Sequence, residues 1–149
     1  MDALKRAVLF RGKQIDNGEW IEGIPIKYQS FPDWWNSKEP SKLLILSSLH
    51  DGEDGGIDAE NYYEVDPSTV CEYTGLTDKN GVKIFEGDIA RGKYGNTVYQ
   101  NEVIFAGDGF ALRHSYDQYG YCASLEEHDA LEVIGNIFDS PELLEENKT

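Results

Sequence analysis

Short apolar runs, rich in β-branched and aromatic residues, alternate with clusters of turn residues along the whole chain. Runs of this length that are bounded by Gly, Pro, Asn and Asp predict strands rather than helices. Strands are predicted at residues 8–11, 19–27, 42–49, 61–65, 71–74, 82–85, 89–93, 97–106, 110–113 and 131–138. This pattern indicates a mainly β fold.

Four glycine-containing dipeptides mark tight reversals between these runs. They are Asn17-Gly18, Asn80-Gly81, Gly95-Asn96 and Asp108-Gly109. Asn, Asp and Gly accept the positive φ values that short hairpin turns require. Residues 88–113 are therefore predicted to form an antiparallel meander with the strand spacing of a small barrel. Residues 139–142 then start a short C-terminal helix, with Pro141 in its first turn.

An acidic, glycine-rich segment is the predicted boundary between the two halves of the chain. Residues 51–66 contain seven acids, three glycines and no base. The first part of this segment, residues 51–56, is predicted to be a mobile surface loop. A chain of 149 residues is long enough for one domain with a sizeable core. We therefore predict a single domain, residues 1–149, with an N-terminal lobe of residues 1–50 and a barrel lobe of residues 61–149.

Acidic residues dominate the chain, and they are unevenly placed. Asp and Glu number 28 against 13 Lys and Arg, which gives a net charge of −15. Residues 1–50 carry six acids and seven bases, a net of +1, whereas residues 51–149 carry 22 acids and 6 bases, a net of −16. A negative field repels nucleic-acid phosphates and anionic lipid, so direct binding to nucleic acid or to membranes is not expected. The charge suits a basic protein partner, or it keeps the chain soluble.

The composition indicates a reduced, cytoplasmic protein. The first ten residues, MDALKRAVLF, lack the apolar core and cleavage site of a signal peptide, and no run of 18 apolar residues occurs. Cys71 and Cys122 are too few for a disulfide framework, and neither has a CxxC partner. We therefore expect a cytoplasmic location.

Two carboxylates, Glu86 and Asp88, flank a glycine just before a predicted strand. Such a pair can hold Mg²⁺ or transfer protons, but a metal site needs further ligands and no neighbouring histidine supplies one. The alternative interpretation is a polar turn. When the acidic segment is aligned with a calcium-binding loop from Asp51, Gly56 falls on the required glycine position. The twelfth position, where Glu is needed, is Tyr62, so the motif fails. The three histidines show no metal-binding spacing, so we expect no metal and no cofactor.

Two aromatic features are candidate binding surfaces. Tyr73 precedes the turn at Asp78, and this stretch is either a recognition loop or a hairpin shaped by its own turn residues. Trp34 and Trp35 lie in a loop predicted at residues 29–41, where two adjacent indoles on an extended chain point to opposite sides. At least one of them is then exposed, unless the loop folds over the barrel. The candidate surface comprises Trp34, Trp35, Tyr73, Asp78, Glu86 and Asp88.

Three segments of the chain carry a resemblance to a known family. They are FRGKQIDNGEW at residues 10–20, EVDPSTVCEYTGLTDKNGVKIFEGDI at residues 64–89 and EVIGNIFDSPELL at residues 132–144. With these segments in this order, the chain resembles the YopX family of phage and prophage proteins. The resemblance implies a β-rich fold with an SH3-like barrel portion, and an origin on a mobile element within a bacterial host cell. It implies no established activity.

These observations lead to three hypotheses about function. The first is a non-catalytic interaction protein that binds a host or phage protein through its acidic surface and the tryptophan loop. The second is an acidic decoy of DNA, which requires carboxylates in two rows that are spaced like phosphates. The third is a metal-dependent hydrolase that uses Glu86 and Asp88. The sequence leaves open whether the chain is an enzyme and whether it self-associates.

Overall fold

The computed structural model describes residues 8–28, 41–51, 57–115 and 120–145, and it is built mainly of β-strands. These residues group into two compact units, one of residues 8–72 and the other beginning at Tyr73. The division falls at residue 72, whereas the sequence places the boundary between its predicted lobes in the acidic segment. The mainly β class predicted from the hydrophobic pattern is confirmed.

The first unit contains an antiparallel sheet in the order β4-β3-β2-β1. Its strands are β1 (Phe10–Lys13), β2 (Trp20–Tyr28), β3 (Lys42–Asp51) and β4 (Ile57–Glu64). A 3₁₀ turn at Pro67–Thr69 follows, and the Asp66 side chain accepts a hydrogen bond from Ser68 N across its start. The strand β5 (Cys71–Thr77) then begins, and its first two residues pair with β1.

Two strands of this sheet approach closely because glycine supplies the space. A Cβ atom at Gly23 of β2 would overlap the carbonyl oxygen of Leu46 in β3. On the same side of the sheet, Ile45 and Val65 are fully buried. Pro25, predicted to mark an edge or a bulge, pairs with Ile45 but lies beyond the end of β1. It therefore occupies a position where β2 needs no donor on its second side.

The second unit contains a five-stranded antiparallel sheet in the order β10-β9-β8-β7-β11. The strands of this unit are β6 (Lys83–Phe85), β7 (Asp88–Tyr94), β8 (Thr97–Phe105), β9 (Phe110–Arg113), β10 (Cys122–Ser124) and β11 (Asp129–Asn136). The remaining part of β5 pairs with β6. A buried cluster of aliphatic residues forms the core: Ile84, Ala90, Val103, Leu112 and Leu125.

The predicted turns and helix are confirmed, and one strand was missed. Gly18, Gly81 and Gly95 have positive φ at three of the predicted reversals, and the fourth turn also forms but takes its positive φ at Gly107 rather than at Gly109. The short C-terminal helix is α1 (Glu142–Glu145). The strand β10 was not predicted, because three residues without an apolar run give no periodic signal. Of the acidic loop predicted at residues 51–56, Asp51 instead ends β3 and the rest lies outside the described residues, as does the loop predicted at residues 29–41 apart from Ser41.

The predicted SH3-like barrel is not confirmed. In the part of the chain that the structure describes, no sheet closes on itself, because β10 and β11 form the two open edges of the five-stranded sheet. Within the same residues, no helix is long and apolar enough to cross a bilayer. The meander β7-β8-β9 predicted from the turn spacing is present.

Candidate functional site

A groove of about 920 Å³ lies in the second unit, and we call it the groove throughout. One wall is the segment Tyr73 to Leu76 of β5. The other wall is the tip of the β8–β9 hairpin, with Phe105, Asp108 and Phe110. Ser124, at the end of β10, and Glu126 complete the lining. The groove is therefore built by three separate stretches of the chain.

The β5 wall departs from regular strand pairing. Tyr73 pairs with Phe85 and Thr77 with Lys83, so three residues of β5 face one residue of β6. Gly75 adopts a φ of 86°, which a residue with a side chain rarely accepts. The Thr74 hydroxyl donates to the Ile84 carbonyl at 2.7 Å and accepts from Leu76 N at 3.2 Å. The Thr-Gly pair thus holds a bulge that faces the groove.

An aromatic pair supplies the apolar surface of the opposite wall. Phe105 and Phe110 pair across β8 and β9, with ring centroids 5.2 Å apart and planes inclined at 65°. The Phe105 side chain is 55% exposed. A tight turn, with Ala106 N bonded to Gly109 O at 2.8 Å, fixes both rings at the hairpin tip. Large exposed rings that are held rigid in this way are typical of contact surfaces.

The charge of the groove is negative. Its lining contains two acids, Asp108 and Glu126, and no base. In the described part of the chain, neither carboxylate forms a side-chain hydrogen bond or an ion pair. Their charges therefore remain available to a cation brought by a ligand.

An edge strand borders the groove at Ser124. Among the strands that the structure describes, β10 pairs with β9 and with no other. The exposed edge of a strand presents backbone donors and acceptors to which an extended chain can be added. The groove thus combines aromatic surface, negative charge and a strand edge.

A pair of histidines lies next to this edge. The Nε2 atoms of His114 and His128 are 2.7 Å apart, and His128 Nδ1 is 2.8 Å from the Ser124 carbonyl oxygen. A carbonyl only accepts, so His128 Nδ1 carries a proton, and the lone pair of His128 Nε2 accepts from His114 Nε2–H. The Tyr99 ring stacks on His114 with centroids 3.7 Å apart. Burial, together with the neighbouring His128, lowers the pKa of His114.

Asp78, one of the predicted surface residues, is buried within its own hairpin. Its Oδ1 atom accepts from Asn80 N and Val82 N, and its Oδ2 atom accepts from Val133 N of β11 at 2.9 Å. Burial opposes ionisation, but the three backbone donors outweigh it and lower the pKa of Asp78. The carboxylate therefore joins the β5–β6 turn to β11.

The paired carboxylates Glu86 and Asp88 differ in burial, since Glu86 is half-buried and Asp88 is enclosed. Asp88 is 1% exposed, and its Oδ2 atom accepts from Phe85 N at 2.8 Å. Glu86 also acts on Glu102. Burial raises the pKa of Glu102, the positive charge of Arg113 lowers this pKa, and the negative charge of Glu86 raises it further. Among the described residues, no group of three or more His, Cys, Asp or Glu is placed to hold a metal ion.

The other predicted surface residues are placed as follows. Tyr73 is mostly buried but borders the groove, with its ring 5.4 Å from that of Phe85. Trp34 and Trp35 lie outside the described residues. The sequence interpretation missed Phe105, Phe110, Asp108 and Glu126. The signal for three of them was the Asp108-Gly109 turn, since a hairpin tip places the residues on either side of it together.

The fold and the groove define an antiparallel β protein with a candidate ligand surface and no recognisable catalytic set among the described residues. The sequence profile of the YopX protein family matches residues 9–145. The chain therefore belongs to the YopX family, as its three segments predicted. It is similar to the crystal structure of protein EF1440 from Enterococcus faecalis, with 28% identity, a TM-score of 0.57, and coverage of 92% of this chain and 97% of that one. No curated protein matches the chain.

Proposed function

We propose that this chain is a non-catalytic protein-interaction module of phage or prophage origin that works in the cytoplasm of a bacterial host. It binds an extended segment of a host or phage protein in the groove. The segment carries an apolar side chain and Lys or Arg residues. The observation that carries the proposal is the groove itself, where the exposed Phe105 and the half-buried Phe110 stand beside two acids and no base.

Each part of the groove has a separate task in this binding. The Phe105–Phe110 pair removes an apolar side chain from water, which supplies most of the affinity. The carboxylates of Asp108 and Glu126 attract the basic residues and select against acidic segments. The free edge of β10 takes the backbone of the segment as an added strand. The net charge of −15 speeds the approach of such a partner.

The first experiment selects peptides from a random display library against the intact chain. We expect peptides with an aromatic or aliphatic residue next to Lys or Arg. The Kd of a selected peptide is then measured by fluorescence anisotropy for the wild type, Phe110→Ala and Val98→Ala. We expect the Kd to rise about tenfold or more in Phe110→Ala, because an aromatic anchor is lost. Val98→Ala, which removes a 61% exposed side chain outside the groove, leaves it unchanged.

Two outcomes contradict the proposal. Selection that enriches no common motif means that the groove recognises no peptide. Selected peptides that bind Phe110→Ala as tightly as the wild type bind elsewhere, and the tryptophan loop predicted at Trp34 and Trp35 is then tested with Trp34→Ala. Circular dichroism of each variant shows that the fold is retained.

The SH3-like barrel belongs to this proposal as a structural hypothesis. The groove is lined by β5 on one side and by the tip of the β8–β9 hairpin on the other, with Ser124 of β10 between them in the lining, so it would lie at the opening of such a barrel. The DNA-decoy and hydrolase hypotheses gain no specific support from the described residues. Asp66 and Asp78 accept hydrogen bonds from backbone N–H groups of their own turns, and Asp88 is enclosed.

A further inference from the structure

The first unit carries an exposed apolar sheet face, which we call the apolar face. It consists of side chains from three strands in register. Ile24 of β2 is opposite Leu46 of β3, which is opposite Tyr62 of β4. One step along, Ile26 is opposite Leu44, and Leu44 is opposite Glu64. Tyr28 and Lys42 form the last row. Since positions two apart in a strand share a side of the sheet, all of these residues lie on one face.

This face is unusually apolar for a surface. Ile24 is 50% exposed, Ile26 is 42% exposed and Tyr62 is 61% exposed. The opposite side of the same sheet buries Ile45 and Val65 completely. One side thus serves as the core, and the other presents exposed Ile24, Ile26 and Tyr62 around the more buried Leu44 and Leu46, an apolar patch of the kind that marks an interaction surface.

The charges on the apolar face are few and opposite. A shallow depression of about 500 Å³ lies on this face, and its lining carries one base, Lys42, and one acid, Glu64. In the residues that the structure describes, neither side chain has a hydrogen bond or an ion pair. The lining of this depression is therefore electrically neutral on a chain whose net charge is −15.

We infer that the apolar face pairs two copies of this chain. A two-fold axis brings the same patch of each copy together, so that Lys42 of one copy lies against Glu64 of the other, twice over. A strongly basic partner is attracted to the acidic surfaces instead. A second copy presents the same two opposite charges beside the same apolar side chains, so each charge meets its complement across the axis. The apolar face and the groove share no residue, so this inference is independent of the proposed function.

The test is sedimentation equilibrium of the full chain from micromolar to millimolar concentration. We expect a monomer–dimer equilibrium that high salt shifts towards the dimer, because salt screens the repulsion between two chains of the same net charge. Ile26→Asp places a charge at the centre of the contact, and we expect it to raise the dimer Kd about tenfold or more. Val98→Asp, the matched control on an exposed residue of the second unit, changes it little.

A charge exchange separates specific pairing from general stickiness. Lys42→Glu alone and Glu64→Lys alone each place like charges in contact, so each weakens the dimer. The double variant, Lys42→Glu with Glu64→Lys, restores it, because the two charges still meet across the axis. A chain that remains monomeric at every concentration overturns the inference. So does a dimer that persists in Ile26→Asp, or a double variant that is no tighter than either single one.

Discussion

The carboxylates of this protein serve two different purposes in the second unit. Asp78 and Asp88 are buried, and both accept hydrogen bonds from backbone N–H groups. Asp108 and Glu126 line the groove with no such partners among the described residues. The same chemical group therefore holds the fold together where it meets the backbone and remains available for binding where it meets solvent. Burial and backbone partners, rather than residue type, separate the two roles.

The largest expected effect is that of Asp78→Ala. Three backbone N–H groups in part-buried hydrogen bonds lose their acceptor, at a cost of about 1 kcal/mol each. We expect the free energy of unfolding to fall by roughly 3 kcal/mol. Urea denaturation followed by circular dichroism measures it. The matched variant Asp108→Ala should change stability by less than about 0.5 kcal/mol, and equal losses in both would abolish the distinction drawn above.

A smaller loss of stability is expected for Asp88→Ala. The side chain is enclosed, so its removal leaves Phe85 N without its acceptor and opens a small void, at a cost of about 2 kcal/mol. The same denaturation measurement applies, with Glu86→Ala as the neighbouring, less buried control. An Asp88→Ala variant as stable as the wild type would show that this carboxylate does not hold the fold together.

For Asp108 and Glu126, the two carboxylates of the groove, we expect an effect on ligand affinity and not on stability. In Asp108→Asn combined with Glu126→Gln, we expect the Kd of a selected basic peptide to rise roughly fivefold at low salt, or about 1 kcal/mol. High salt should largely remove the difference, since exposed charges are screened. Anisotropy titrations at two salt concentrations measure this. Unfolding midpoints equal to that of the wild type would show that the two acids act only on the ligand.

The smallest effect is the pH dependence due to His114. Its pKa is lowered in the folded chain from an ordinary value of 6.5, so the unfolded chain binds protons first as the pH falls. The stabilisation is fully present above pH 6.5 and is lost as the pH falls through the lower, folded pKa. We expect this loss to be smaller than that caused by Asp88→Ala, because water screens a partly exposed group.

Urea midpoints from neutral pH downwards measure this loss in the wild type and in His114→Gln. The variant should lose less stability over the same pH interval, because it lacks the titrating group. Val98→Ala, which removes no titratable group, should follow the wild type. A steeper loss in His114→Gln than in the wild type would reverse the assigned sign.

The local features of this fold were readable from the sequence, and the long-range ones were not. The turn at Asp78 was predicted because Asp-Lys-Asn-Gly shapes its own backbone. That the same carboxylate also reaches Val133, 55 positions further along, depends on how β11 docks. The strands that carry Phe105 and Phe110 were predictable, but the groove was not. It also needs an opposite wall, the bulge at Gly75 of β5, which is distant in sequence. Closure of a barrel depends on such distant contacts.

The tight passage of Gly23 against the Leu46 carbonyl makes the spacing between β2 and β3 depend on a missing methyl group. Alanine at this position would wedge the two strands apart on the buried side and bend the sheet outward. The apolar face, where Ile26 pairs with Leu44, would then be distorted. Gly23→Ala, a substitution on the buried side of the sheet, would in this way weaken the pairing of two copies through the apolar face on the other side.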